Sequence, residues 1–216
     1  MLRFDLARNA FRYLIRKYKI KEIYIPYYLC DVIRHTAFEE NCKALFYHID
    51  DNFMPAVKFP QESFILYPDY FGICGKNIDK LVKIYPKLIV DNAHAFYSKP
   101  SGFASFNSER KFRKIKDGAY LYFGAESREI APDKSRRKIF DKYHKQYKTS
   151  NLLKIDIAKD AVPFCYPYLA GSGKEADDLV KKLSEQGLII YRYWNPLPPT
   201  FNEYKYYSRL VPIPLD

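Results

Sequence analysis

Apolar positions fall into two spacings that alternate along the chain. In residues 6–18, Ala7, Ala10, Phe11, Leu14, Ile15 and Tyr18 recur at helical spacing, which predicts an amphipathic helix with Asp5 as its N-cap. A short apolar run follows at 22–26, then a helix around 29–40 and a second run at 44–49. Further strands are expected at 64–67 and, after the breaker Pro86, at 88–91, with a helix at 77–84 between them. Residues 105–107 and 119–123 add two more strand candidates. The runs are short, continuous and rich in Ile, Val, Phe and Tyr, as strands covered on both faces of a parallel or mixed sheet would be. Strands alternating with helices predict an open α/β sheet.

After Gly124 the texture changes. A long basic helix is expected at 133–147, then the stretch VPFCYPYLAGSG, a helix at 174–186 and an LIIY strand at 188–191. This predicts a large α/β lobe over residues 1–130 and a small C-terminal α+β lobe over 131–216, two lobes of one unit. No internal repeat and no low-complexity linker separates them.

Composition narrows the setting more than the chemistry. A chain of 216 residues that is 48% apolar can bury a substantial core. No run of about 18 apolar residues occurs, and Asp5 and Arg8 interrupt the start where a signal peptide would be apolar, so a cytoplasmic protein without membrane contact is expected. Cys30, Cys42, Cys74 and Cys165 are too far apart for paired zinc ligands, which predicts reduced thiols and no metal. The net charge of +11 suits nucleic acid, an anionic membrane or a phosphorylated small molecule, but a solvated basic helix face at 134–148 accounts for much of it. Aromatic residues, at 18%, lie mainly in apolar runs such as ALFYHI and AYLYF, where core packing explains them better than base stacking.

In open α/β sheets ligands bind beyond the carboxyl ends of the strands, so polar residues that end apolar runs are the first candidates for chemistry. Asp91 ends LIV in LIVDNAHAF. Such a carboxylate could ligate a metal, bond a ribose or face a cofactor. Twenty residues on, SERKFRKIKDGAYL carries Ser108, Lys111, Asp117 and Gly118 in a polar turn between two expected strands. A lone lysine there is ordinarily a surface charge. Together, an amine, a carboxylate and candidate phosphate donors are what an aldehyde cofactor with a pyridine ring and a phosphate requires. Asp91 fits the carboxylate that keeps the ring nitrogen protonated, and Lys111 the amine that forms the Schiff base and later moves the substrate proton. Lys114 and Lys116 are rivals at less suitable spacing.

LIVDNAHAF followed by SFNSERKFRKIKDGAYL resembles the DegT/StrS-like sugar aminotransferases, a branch of the fold-type-I pyridoxal 5'-phosphate (PLP) enzymes; Asp91, Ala93, His94, Ala95, Ser108, Lys111, Asp117 and Gly118 match in order. LARNAFRYLI, IYIPYYLCDVI, YPDYFGICGKNIDKL, YRYWNPLP and LVPIPLD extend the resemblance along most of the chain. It implies the PLP-dependent transferase fold, PLP as cofactor and a homodimer, in a shortened member of the family. It implies Lys111 as the catalytic lysine, Asp91 at the pyridine nitrogen, His94 near the phenolic oxygen and Ser108 at the phosphate. Arg8 and Asn9 would meet the phosphate at a helix N-terminus, and Tyr28 would neighbour the ring. The expected phosphate turn, Ala7-Arg8-Asn9, lacks the glycine and the hydroxyl that the family commonly has there. The implied activity is transfer of an amino group, from a donor such as glutamate, to a nucleotide-linked keto sugar in polysaccharide or amino-sugar synthesis. The two other readings are a non-catalytic relative that binds a ligand or partner and, ranked last, a basic nucleic-acid-binding protein.

Overall fold

A computed structural model describes residues 1–126, 130–194 and 196–215, so Asn195 of YRYWNPLP and the closing Asp216 lie outside the described residues. Its first half alternates strand and helix: β1 (Leu2–Phe4), α1 (Ala7–Tyr18), β2 (Glu22–Pro26), α2 (Asp31–Glu39), β3 (Lys43–Tyr47), β4 (Ile65–Pro68), α3 (Gly75–Leu81), β5 (Leu88–Asn92), β6 (Ala104–Asn107) and β7 (Ala119–Phe123). These strands form one sheet in the order β1-β7-β6-β5-β4-β2-β3. The run from β6 to β3 is parallel, and β7 is antiparallel to both β6 and β1. This is the expected α/β sheet.

Period-two alternation sorts the strand residues between two cores. Leu66, Ile89 and Phe106 join Phe11, Leu14 and Ile33 beneath α1 and α2. Ile65, Tyr67, Leu88 and Val90 face the opposite way, against Ile78 and Leu81 of α3 and against Leu153, Cys165, Tyr206 and Leu210 from the chain's last third. That last third contains α4 (Lys134–Tyr147), β8 (Cys165–Leu169), α5 (Gly173–Glu185), α6 (Tyr204–Arg209) and β9 (Leu210–Pro214), with β8 and β9 paired antiparallel. Asp133 caps α4 by accepting from the Ser135 and Arg136 N–H groups, and Ser172 caps α5 by accepting from that of Glu175.

Three local expectations change. LIIY is not a strand: Leu188 and Ile190 are half-buried while Ile189 and Tyr191 point to solvent, an alternation that finds no partner strand. β1, with three residues, was too short to read from pattern, and α6 has no long periodic run. Asp5 is not the N-cap of α1. Leu6 holds that place in extended conformation without a side-chain bond, and Asp5 Oδ1 accepts instead from Leu6 N and Asn9 Nδ2.

Beyond β4 the chain turns sharply. Gly72 has φ +74°, and a Cβ there would lie 2.5 Å from the His94 carbonyl oxygen, so only glycine lets this turn approach the loop after β5. Gly72→Ala is expected to lower stability by about 2 kcal/mol, read as a lower urea midpoint; an unchanged midpoint contradicts the close approach.

Candidate active site

The carboxyl ends of the parallel strands carry the polar residues. Register pairs Pro68 with Asp91 and Asp91 with Phe106, so the ends of β4, β5 and β6 lie level. Continuing the faces of Leu66, Ile89 and Phe106 by two residues reaches Pro68, Asp91 and Ser108, all on the side of α1 and α2. These residues line a narrow inner slot, with Ala7 and Arg8 at the start of α1, Leu29, Cys30 and Ile33 at the start of α2, and Asp69, His94 and Lys111.

Why Lys111 reaches this slot is a matter of local bonds. Ser108 leaves β6 in extended conformation, and residues Glu109–Lys111 make one tight helical turn. The turn is clipped to the start of β7, because Glu109 N donates to Gly118 O, and Gly118 N donates 2.7 Å to Asp5 O. That second bond draws the connection between β1 and α1 against the lysine turn. The N-terminus of α1 and Lys111 therefore belong to one hydrogen-bonded assembly. No side chain caps α1 and its first turn holds no acid, while the Asp5 carboxylate just before it accepts from Leu6 N and Asn9 Nδ2.

Burial sets the electrostatics. Desolvation pushes the Asp91 carboxyl up to about 6, opposed by the Lys111 amine and by the Ala93 N–H that donates 2.8 Å to Oδ1. The same desolvation lowers the Lys111 amine from its ordinary range, with Asp91 opposing. Burial, with Lys111 adding, holds His94 well below the ordinary imidazole range, so it is neutral. Its Nε2 is buried without a hydrogen-bond partner among the described residues, and its ring lies 4.4 Å from that of Phe164 at an angle of 13°. Asp69, buried and accepting from Cys74 N, is raised to about 7, chiefly by burial.

A second, larger cavity of about 520 Å³ adjoins the slot. Its walls include Lys114, Arg136, Phe164, Tyr191 and Tyr193, and Lys111 lines both spaces. Lys111 thus borders both spaces.

Of the residues singled out in the sequence, Arg8, Asp91, His94, Ser108 and Lys111 come together in the slot. Asn9 and Tyr28 lie outside its lining. Asn9 spends its side chain on Asp5 and Arg12 and its N–H on Leu6 O. Tyr28 is buried behind Trp194, with its hydroxyl donating 2.7 Å to Tyr193 O. Sequence reasoning missed Asp69, Cys30 and Trp194. Asp69 ends the apolar run ILYP as Asp91 ends LIV, and the same rule would have found it. Trp194 comes from an irregular segment far along the chain and has no such local signal. Among the described residues no cluster of three or more His, Cys, Asp or Glu could hold a metal, and no helix is long and apolar enough to cross a membrane.

The raised Asp69 carboxyl has a stability consequence. The native state keeps a proton that the unfolded chain loses near pH 4, so this stabilising contribution is present below that pH and is lost as pH rises through about 7. Asp69→Asn keeps the acceptor for Cys74 N and removes the buried charge. Without added cofactor it should be more stable than wild type at pH 8, on the order of 2 kcal/mol, and equal to it at pH 4; equal stability at both pH values contradicts the assignment.

No protein-family model matches the chain, and no curated protein matches it. Solved structures do. A DegT DnrJ EryC1 StrS aminotransferase from Brucella abortus is 12% identical with a TM-score of 0.73, covering 99% of this chain and 80% of that one. PseC of Helicobacter pylori, an aminotransferase of pseudoaminic acid biosynthesis, is 16% identical with a TM-score of 0.69 and the same coverage. The PLP form of Spr1654 from Streptococcus pneumoniae is 13% identical with a TM-score of 0.72, covering 99% and 81%. The chain therefore has the PLP-dependent transferase fold that these aminotransferases share.

Proposed function

We propose that the chain is a PLP-dependent aminotransferase that delivers an amino group to a keto sugar carried on a nucleotide, working as a homodimer. The observation that carries this reading is Lys111: a desolvated amine coupled to a buried carboxylate, bordering both an inner slot and a wider cavity.

The residues of the slot fit PLP. Among the lining residues, the α1 N-terminus, Arg8 and Ser108 offer an anion cationic and hydrogen-bonding partners. Asp91 offers a carboxylate to a ring nitrogen, and the orphaned Nε2 of His94 awaits a polar partner. When bound, PLP supplies an aldehyde that takes up the amino group and a ring that withdraws electrons from the substrate carbon.

The chain's own contributions follow from position. Asp91 would hold a proton at the ring nitrogen, a pairing that its buried setting would strengthen. Lys111, its affinity for protons reduced by burial, would take the proton from the donor carbon that bears the amino group and return it to the carbon supplied by the cofactor's aldehyde group. Ser108, Arg8 and the α1 N-terminus would hold the phosphate and so keep the ring in place between Asp91 and Lys111. In the wider cavity, Lys114 and Arg136 supply positive charge, and Phe164, Tyr191 and Tyr193 supply flat apolar surface. That combination suits a diphosphate with an attached base and sugar.

The test is PLP uptake followed by amino transfer. Wild type should retain a visible absorption band after desalting and lose it on addition of an amino donor; Lys111→Ala should show no such band. Asp91→Asn should retain the cofactor with transfer slowed about a hundredfold or more. A retained band that no donor among a panel of amino acids can discharge supports the non-catalytic alternative, which the hydroxyl-free turn Ala7-Arg8-Asn9 favours. A band unchanged in Lys111→Ala overturns the lysine assignment.

A further inference from the structure

We infer that Trp194, the only tryptophan of the chain, is the aromatic wall of the inner slot and positions the ligand ring there, where the family resemblance implied Tyr28 as the neighbour of the ring. The inference rests on the slot being the PLP site.

A flat aromatic ligand gains orientation from a flat partner, and the slot has few. Its lining from the β2–α2 turn and α2 is Leu29, Cys30, Val32 and Ile33, none of which carries a ring. The aromatic side chains that line it are His94 and Trp194. The His94 ring lies nearly parallel to both Phe164, at 13°, and Trp194, at 15°.

Trp194 is also held before any ligand arrives. Tyr28 packs against the indole at 4.7 Å in an edge-on contact, Phe71 stacks at 6.3 Å, and Tyr70 lies at 5.9 Å. The bond from the Tyr28 hydroxyl to Tyr193 O fixes the backbone just before it. A side chain fixed in this way loses little freedom on binding, so its contact with the ligand is expressed in affinity. Tyr28 thus acts through Trp194 rather than on the ligand, which explains why a buried tyrosine of the β2–α2 turn lies outside the slot.

The neighbouring residue adds a second element. Tyr193 lines the wider cavity while Trp194 lines the slot. One short stretch of the C-terminal segment therefore divides the two spaces beside Lys111. An electron-poor pyridine ring against the electron-rich indole is a favourable pairing, and the C-terminal segment becomes part of the cofactor site through a single side chain.

Because the chain has one tryptophan, its whole indole emission reports this position. The full chain is titrated with PLP by visible absorbance, together with Trp194→Phe and Trp194→Leu, and thermal midpoints check that each variant folds. Trp194→Phe should bind within about threefold of wild type, and Trp194→Leu about tenfold more weakly. In wild type, the acrylamide quenching rate constant, obtained from the slope and the unquenched lifetime, should fall by at least half once PLP is bound. That measurement needs no variant to fold. An unchanged quenching constant, or Trp194→Leu that folds and binds like wild type, overturns the inference while leaving the PLP reading intact. Absence of any band in wild type overturns the PLP reading and this inference with it.

Discussion

Everything at this site depends on one electrostatic constraint: an amine and a carboxylate, Lys111 and Asp91, desolvated together at the carboxyl edge of a parallel sheet. Burial disfavours both charges, pushing the carboxyl up and the amine down, while each opposes the shift in the other. A stable protein has little use for such a pair unless the fold over-determines it. Here it does. Asp91 is the last-but-one residue of a strand buried along its whole length, and Lys111 is carried by a turn whose first residue, Glu109, is bonded to Gly118 at the start of β7.

The clip connects chemistry to architecture. Gly118 donates to the Asp5 carbonyl, so the lysine turn and the entry to α1 cannot move independently. The antiparallel return of β7 between β6 and β1 makes that contact possible, by carrying the chain back beside its own first strand. A helix start without its own cap then faces the same slot as the amine. The positive end of a dipole, a carboxylate, a neutral histidine and a desolvated amine are held in one space by backbone hydrogen bonds and strand register.

Much of this was legible in the sequence, and the reasons are local. Strands β2, β4, β5 and β7 are near-continuous apolar runs, and those of β4 and β5 lead into Asp69 and Asp91, so both the sheet and Asp91 can be read from pattern. Lys111 and Ser108 could be read only jointly, because a lysine by itself carries no sign of desolvation. What escaped lies in long-range geometry. Asn9 looked free to meet an anion, but Asp5 and Arg12 claim its side chain. LIIY has the composition of a strand and no neighbour to pair with. Trp194 enters the slot through a contact with Tyr28 that joins opposite ends of the chain, a closure that no window of residues reveals.

The central claim is that one amine among many is set apart by its surroundings. The direct measurement is reductive trapping: the protein is incubated with PLP, reduced with borohydride, digested and mapped by mass spectrometry. The account predicts a single dominant label on Lys111, lost in Lys111→Ala and not transferred to Lys114 or Lys116. Label spread over surface lysines, or centred on Lys114 or Lys116, would contradict it.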